Sequence, residues 1–289
     1  PLSVMFGVVS ETLQSGSYLQ FTVDELFFSN DLLMLNSIGG LALWLDASNV
    51  DGNHNSSLND GDAVGAWKDL SGHGIHLSQS IEADQPIYDS SDNSFKTVGV
   101  KDEFTQNLIA SDLNSKLLNL TETDTELTIF MVRKDYDINQ FTSDNPNILS
   151  YSNTTGTSFT AYRAVYGGTN DNKFIVHDPI SWTNSYVHSV NSAIDERSIN
   201  TYHRQTNSVE FYKNDPININ KSDVGDSGIK PGLLDGINAI TLFDPSGGIT
   251  IDLAEVLVFN KSLSDQDRSK ITSYLANKWR LTITVDSDG

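Results

Sequence analysis

The sequence contains no cysteine, few cationic side chains and no long apolar run. The lack of cysteine excludes thiol catalysis, disulfide bonds and cysteine-type zinc sites. Lys and Arg number 18 against 38 Asp and Glu, so the net charge is −20. A surface this acidic repels phosphate backbones and anionic lipid, and we expect no nucleic-acid partner. Because no apolar run approaches the ~20 residues of a membrane helix, we also expect no membrane insertion.

Short segments rich in β-branched and aromatic residues alternate with clusters of Asn, Asp, Gly and Ser along most of the 289 residues. This spacing predicts an all-β sandwich of antiparallel strands. The predicted strands are 18–23, 41–45, 127–132, 158–162, 173–176, 198–202, 208–212, 239–243 and 249–259.

One helix is predicted near the C-terminus, with Ser264 as its N-cap. The carboxylates of Asp265 and Asp267 fall in its first turn, where they suit the helix dipole. Apolar side chains then recur at helical spacing and cations close the last turn. These residues are Ile271, Tyr274, Leu275, Lys278, Trp279 and Arg280.

Three stretches of the sequence together resemble those of a known protein family. Residues 40–49 read GLALWLDASN, and residues 60–74 read DGDAVGAWKDLSGHG with QPIY following at 85–88. Residues 253–268 read LAEVLVFNKSLSDQDR and run into YLANKW at 274–279. The set resembles the laminin-G-like members of the concanavalin A-like lectin/glucanase superfamily.

This likeness implies a concanavalin A-like jelly-roll β-sandwich over residues 39–283, with a short C-terminal capping helix. In such a fold the first and last strands lie side by side. Trp44 and Trp67 would be core aromatics, and the Asp69 carboxylate would accept backbone N–H groups in the turn that follows it.

The flanking segments differ from the sandwich in composition. We expect residues 1–38 to be an N-terminal β segment or the tail of a preceding domain. Residues 284–289 are predicted to be a linker and resemble the start of an Asp-rich calcium-binding repeat. Both expectations fit a piece of a larger bacterial surface protein.

The most enzyme-like motif is formed by Glu122, Asp124 and Glu126, which alternate along the chain. Their spacing resembles that of the laminarinase-type glycoside hydrolases of the same superfamily, where such carboxylates act as nucleophile and acid/base. Here the intervening residues are all Thr and the strand is expected to begin at Leu127, so we predict an acidic turn. The chain also lacks a Gly-x-Ser-x-Gly elbow to anchor a hydrolase triad. We therefore predict that the protein is not an enzyme.

A calcium site is predicted in one loop region rich in Asp and Asn. Its candidate ligands are Asp51, Asn53, Asp60 and Asp62, because hard oxygen ligands suit Ca²⁺. The order of these residues is not that of an EF-hand. The alternative interpretation is a polar turn that binds no metal.

A ligand site is predicted around Trp182 and Tyr186, with Asp178 and Asn184 as polar neighbours. Sugar recognition combines an aromatic platform with such hydrogen-bonding groups. The alternative is that these rings fill the sandwich core.

These observations favour a non-catalytic, lectin-like binding module located outside the cell or at its surface. We expect it to belong to a larger adhesin-like protein and to recognise a glycan or another cell-surface ligand, with Ca²⁺ as a cofactor. Neighbouring domains of the same polypeptide would be its other partners. Two alternatives stay open, a polysaccharide-cleaving enzyme on the same fold and a purely structural spacer domain.

Overall fold

The computed structural model describes residues 23–92, 95–100, 105–111, 126–135, 147–153, 158–166, 169–177, 190–191, 196–205, 209–217, 237–244 and 251–283. The helices in these ranges are α1 (Val23–Ile38) and α2 (Asp265–Trp279). The strands are β1 (Leu41–Asp46), β2 (Ala66–Trp67), β3 (Leu77–Ser78), β4 (Ile87–Asp89), β5 (Thr97–Val100), β6 (Leu108–Ser111), β7 (Leu127–Asp135), β8 (Asn147–Asn153), β9 (Ser158–Tyr166), β10 (Thr169–His177), β11 (Val190–Asn191), β12 (Arg197–Arg204), β13 (Val209–Lys213), β14 (Ile237–Asp244) and β15 (Ile251–Phe259).

The strands form two antiparallel sheets. One has seven strands in the order β13-β12-β7-β15-β5-β4, with β1 also paired to β15. The other has eight strands in the order β11-β10-β9-β8-β14-β6-β3-β2. Side chains from both sheets contribute to one buried hydrophobic cluster, among them Leu149 and Leu242 of one sheet and Phe130 and Val256 of the other. The predicted all-β sandwich is therefore confirmed.

The predicted strands from 41–45 onward all overlap observed strands, and residues 208, 249 and 250 of two of them lie outside the described residues. The range 18–22 lies outside the described residues, and Val23 begins α1. The short strands β2 to β6 and β11, together with β8, were not predicted. They contain only two to four residues apart from β8, which is too short for an alternating pattern to stand out.

The two ends of the sandwich meet in the seven-stranded sheet, as expected. β15 pairs along one edge with β5 through Ile251–Leu253 and, further along, with β1 through Glu255–Phe259. Its other edge pairs with β7. Every residue of β15 is buried, so this strand is covered on both faces.

The turn after β2 is built around one carboxylate. Asp69 Oδ1 accepts the backbone N–H groups of Trp44 and Ser71, at 3.1 and 2.9 Å. Its Oδ2 accepts the N–H of Ile75 at 3.0 Å. Trp44 and Trp67 are fully buried. The predicted roles of these residues are thus confirmed, and the Asp69 turn is fastened directly to β1.

Helix α2 begins at its predicted cap and has the predicted apolar stripe, whereas Arg280, predicted in its last turn, lies just beyond its last residue. Ser264 Oγ accepts the N–H of Asp267 at 3.1 Å, which satisfies one free donor of the first turn. The apolar stripe of Ile271, Leu275 and Trp279 is buried. Arg280 then adopts the left-handed conformation that closes the helix.

The prediction of β structure before residue 39 is wrong for residues 23–38, which form α1. Leu35 of this helix is fully buried in the sandwich core, and Leu32 and Ile38 pack against the same core. These apolar residues recur three apart, and Gly39 and Gly40 follow with positive φ. Such spacing followed by glycine is typical of a helix C-terminus. Residues 1–22 and 284–289 lie outside the described residues.

A largely buried lysine joins α2 to the β1–β15 pair. Register places Asp46 directly opposite Glu255, and two like charges in such a position repel each other. Lys278 Nζ lies between them, 2.6 Å from Asp46 Oδ2 and 2.9 Å from Glu255 Oε2. One cation from the last turn of α2 therefore holds two carboxylates of neighbouring strands together.

Aromatic donors complete the shell around Glu255. The indole N–H groups of Trp44 and Trp279 donate to its two carboxylate oxygens at 2.8 and 2.6 Å. The Tyr274 hydroxyl lies 3.1 Å from Glu255 Oε1 and 3.4 Å from Asp31 Oδ2 of α1. Both helices are thus connected to the same buried carboxylate.

We predict that Lys278→Met strongly destabilises the fold. The substitution keeps the apolar stem but leaves Asp46 and Glu255 buried side by side without a cation, which costs about 3–5 kcal/mol. Chemical denaturation of the two proteins measures the loss. Lys270→Met is the matched control, because Lys270 lies on the same helix, is largely exposed and is 3.8 Å from Asp267. Equal stability of the two variants would contradict the role of Lys278.

We also predict a pH dependence that comes from Glu255. Burial raises its pKa to about 7, with Lys278 opposing the rise and Asp46 adding to it. Between its ordinary pKa and 7 the folded chain binds more protons than the unfolded chain, so the free energy of unfolding falls as pH rises. The fall attributable to Glu255 is on the order of 2–3 kcal/mol.

The measurement is a series of urea titrations from pH 4.5 to 8 on the native protein and on Glu255→Gln. We expect a shallower decline in the variant, whatever its absolute stability. Other buried acids, such as Asp31, whose pKa burial also raises, are common to both proteins. Identical slopes would contradict the assignment to Glu255.

Candidate functional site

The predicted ligand residues are not placed by the structure. Asp178, Trp182, Asn184 and Tyr186 all fall between β10 and β11, outside the described residues. Their role stays a prediction.

In the predicted calcium loop, Asp51 has both carboxylate oxygens engaged. Its Oδ1 accepts the N–H groups of Asn53 and Asn55 at 2.7 and 2.8 Å, and its Oδ2 accepts the Ser57 hydroxyl at 3.1 Å. Burial alone would raise the pKa of Asp51, but these hydrogen bonds lower it overall. The Asn53 side chain donates to Ser56. Asp51 and Asn53 thus stabilise a local turn.

Asp60 and Asp62 each use one oxygen within the protein. Asp60 Oδ1 accepts the N–H of Ser90 at 2.8 Å, and Asp62 Oδ2 accepts the N–H of Asn59 at 2.7 Å. The second oxygen of each carboxylate makes no hydrogen bond to a described residue. In the described part of the chain, no three His, Asp or Glu side chains are grouped to hold a metal ion. The calcium site stays a prediction, with Asp60 and Asp62 as its most available ligands.

Of the acidic motif, only Glu126 is described; Glu122 and Asp124 lie outside the described residues. Glu126 immediately precedes β7, which begins at Leu127 as expected. Its Oε2 accepts the backbone N–H of Ser262 at 3.4 Å. This carboxylate therefore lies beside the loop that connects β15 to α2.

The structure assembles a second polar cluster that was not predicted. Antiparallel register places His203 of β12 opposite Glu210 of β13. His203 Nδ1 lies 2.9 Å from Glu210 Oε2, and His203 Nε2 lies 2.7 Å from Ser262 Oγ. The Tyr212 hydroxyl, two residues along β13, donates to the same Glu210 oxygen at 2.7 Å. We refer to His203, Glu210, Tyr212, Ser262 and Arg268 as the His203 cluster.

Arg268 of α2 holds the cluster in place. Its guanidinium stacks on the Tyr212 ring at 4.6 Å and donates to the Tyr212 hydroxyl at 3.0 Å. Further donations reach the carbonyls of Leu263 and Pro216 and the carboxylate of Asp265, at 2.8, 3.2 and 2.7 Å. Arg268 is almost fully buried, so these contacts fix the position of Tyr212 and, through it, of Glu210.

Burial and charge set the protonation of the cluster. Burial lowers the pKa of His203, with Glu210 opposing and Arg268 adding to this effect. Burial would raise the pKa of Glu210, but hydrogen bonds from Tyr212 and His203 lower it overall. Near neutral pH the pair is therefore a neutral imidazole and a carboxylate. Because the carboxylate can only accept, His203 carries its proton on Nδ1 and presents Nε2 as an acceptor to Ser262.

Part of this cluster has a signal in the sequence. Two predicted strands at 198–202 and 208–212 form a hairpin if the turn is centred between residues 206 and 207, and that register pairs His203 with Glu210. Arg268 lies on the buried side of α2 with Ile271 and Leu275. Ser262 has no such signal, because it approaches His203 from 59 residues further along the chain.

The sequence matches no protein-family model and no curated protein. Solved structures of similar architecture include the binding domain of botulinum neurotoxin serotype G, with a TM-score of 0.57 and 13% identity, covering 82% of this chain and 51% of that one. The serotype D binding domain gives 0.56 and 12%, covering 83% and 52%.

A further structure, the receptor binding domain of botulinum neurotoxin D, has a TM-score of 0.52 at 12% identity and covers 82% of this chain and 53% of that one. This chain thus spans about half the length of each of these structures. At such low identity the similarity establishes the fold alone, a β-sandwich shared with these binding domains. Among the described helices, none has the length and apolar character needed to cross a membrane.

Proposed function

We propose that this chain is a non-catalytic binding module that recognises a glycan or another cell-surface ligand. The observation that carries the proposal is the architecture, two antiparallel sheets arranged as in the binding domains of botulinum neurotoxins. One of these structures is described as a receptor binding domain. Because one fold can host many functions, this similarity supports recognition as the class of activity but does not identify the ligand. The identity of the ligand depends on the residues of the site.

The proposal includes the finer family reading, a laminin-G-like or concanavalin A-like module of a larger adhesin-like protein outside the cell. Its support is the set of sequence stretches that contain Trp44, Trp67, Asp69 and the β15–α2 segment, whose predicted packing roles the structure confirms. The strong negative charge suits an environment rich in salt, where acidic loops are screened.

The proposed ligand site contains Trp182 and Tyr186 as aromatic platforms, with Asp178 and Asn184 as hydrogen-bonding groups. Of the four tryptophans, three are accounted for by the core, since Trp44, Trp67 and Trp279 are 0, 0 and 3% exposed. Each of these three also donates its indole N–H within the protein. Trp182 is thus the tryptophan available to a ligand in this proposal.

We predict that a glycan identified on a printed glycan array changes the intrinsic tryptophan fluorescence of the native protein. Trp182→Phe should abolish the change but retain binding, because phenylalanine still offers a ring. Trp182→Ala should weaken binding at least about tenfold, or ~1.4 kcal/mol. Calorimetric titration of the same glycan measures both affinities. Undiminished binding by Trp182→Ala would contradict the site, and an array without a single bound glycan would favour the spacer alternative.

Calcium assistance is the second part of the proposal, with Asp60 and Asp62 as the ligands that retain a carboxylate oxygen. For a dissociation constant of 10⁻⁴–10⁻³ M, typical of extracellular modules, about 10 mM Ca²⁺ should stabilise the protein by ~1.4–2.7 kcal/mol. Urea titrations with and without Ca²⁺ measure this gain. We expect the double variant Asp60→Asn/Asp62→Asn to lose it.

The matched control for the calcium experiment is Glu82→Gln/Asp84→Asn, which removes two negative charges from a neighbouring surface turn. This control should keep the full gain. If Ca²⁺ does not stabilise the native protein, the calcium proposal is contradicted. If both double variants lose the gain equally, the stabilisation by Ca²⁺ is general charge screening.

A further inference from the structure

The His203 cluster has the geometry of a nucleophile, a base and an orienting carboxylate. Ser262 Oγ is 2.7 Å from His203 Nε2, and Glu210 Oε2 is 2.9 Å from His203 Nδ1. We propose that Ser262 is an activated nucleophile that accepts acyl groups from small activated esters, with His203 as its general base and Glu210 as the positioning residue. This covalent site goes beyond the proposed recognition function and does not depend on it.

The arrangement meets the geometric requirement for nucleophilic catalysis, in which both the nucleophile–base and the base–orienter distances lie within hydrogen-bond reach. The base is rigidly held, since His203 is 1% exposed. Ser262, by contrast, is partly exposed. A partly exposed nucleophile beside a buried base differs from a purely structural hydrogen bond, in which both partners would be enclosed.

The orienting half of the cluster is fixed by two further donors. Tyr212 donates to the same Glu210 oxygen that faces His203, and Arg268 donates to Tyr212. The other charged groups near His203 are Arg268, whose Nη1 lies 3.5 Å from Nδ1, and Asp265, which is bound to Arg268. The carboxylate is thus held ready to stabilise the imidazolium that forms when Ser262 loses its proton.

The proposed step is a balanced acyl transfer. Ser262 Oγ forms a bond to the ester carbonyl carbon as its proton moves to His203 Nε2. The bond from that carbon to the leaving oxygen then breaks, and the proton on Nε2 passes to the leaving group. The products are an O-acylated Ser262 and a free alcohol or phenol, so no further reactant is needed.

The backbone around Ser262 restricts the acyl donor. The N–H of Ser262 points to Glu126 Oε2 at 3.4 Å, and the N–H of Leu263 donates to Thr128 Oγ1 at 3.2 Å. These groups therefore do not offer a preorganised oxyanion hole, and loss of one such donor slows acyl transfer about 10²–10³-fold. The site consequently suits oxygen esters with good leaving groups, such as aryl esters, and one acylation per chain.

The test is acetylation of the full chain by 4-nitrophenyl acetate, followed by peptide mapping with mass spectrometry. Ser264 is an internal control two residues away, because its hydroxyl is exposed and bonded to Asp267 rather than to a histidine. We expect Ser262 to be acetylated about 10²-fold faster than Ser264, the advantage typical of a general base. The rate should rise with pH through a pKa below the ordinary value of histidine, which burial lowers here.

Two variants separate activation from simple exposure. Glu210→Gln should slow the acetylation of Ser262 at least about tenfold by withdrawing the charge that stabilises imidazolium, with no change at Ser264. Glu126→Gln should accelerate it by removing a negative charge from beside the developing oxyanion. Equal rates at Ser262 and Ser264, or a Ser262 rate that Glu210→Gln leaves unchanged in a protein with a native melting curve, would overturn the proposal. A glycan-binding result in either direction bears only on the proposed function.

Discussion

The structure depends on the antiparallel pairing of β1 with β15 and on the single cation that makes this pairing tolerable. Register forces Asp46 and Glu255 into direct opposition inside the protein, where uncompensated charge is most costly. Lys278 bridges the pair and balances one of its two negative charges, and the indoles of Trp44 and Trp279 donate hydrogen bonds to Glu255. β1, β15 and α2 are therefore stabilised by one shared set of contacts. Displacing any one of them would leave buried charges of the other two without their partners.

The same helix organises a second polar group at its opposite end. Lys278 lies in the last turn of α2, whereas Arg268 lies in its first turns and holds the His203 cluster against β12 and β13. The outer face of the seven-stranded sheet thus carries two buried polar networks about three helical turns apart. In the network around Lys278, four donors contact the carboxylate of Glu255, which stabilises the packing of the helix against the strands. In the His203 cluster, Glu210 orients a histidine whose second nitrogen faces the hydroxyl of the partly exposed Ser262. This difference is the basis for proposing that the second network is reactive.

Much of the fold could be predicted because its long strands have strong local signals. β7 and β15 are nine-residue apolar segments, and α2 has a clear cap and stripe. α1 was misread because Leu32–Leu35 forms a continuous apolar patch, in which the spacing of Leu32, Leu35 and Ile38 is obscured. The short strands β2 and β3 have only two residues each, so their sequences contain no independent signal.

The polar clusters were harder to anticipate, for a physical reason. His203 and Glu210 belong to one hairpin, and local register could have paired them. Ser262, Lys278 and Arg268 reach their partners only through tertiary packing, across separations of 56 to 232 residues. Side-chain chemistry at such sites follows from which faces of the sandwich and helix meet, and no short sequence window contains that information.

The long-range closure also determines when this module can complete its structure on the ribosome. β1 is synthesised more than 200 residues before β15, and the lysine that bridges their carboxylates comes later still, in the last turn of α2. Bringing such distant segments together is entropically costly and slow. Until residue 278 has left the exit tunnel, the carboxylates of Asp46 and Glu255 lack the cation that they share. The pairing of β1 with β15 can therefore acquire its full set of contacts only after α2 has been synthesised.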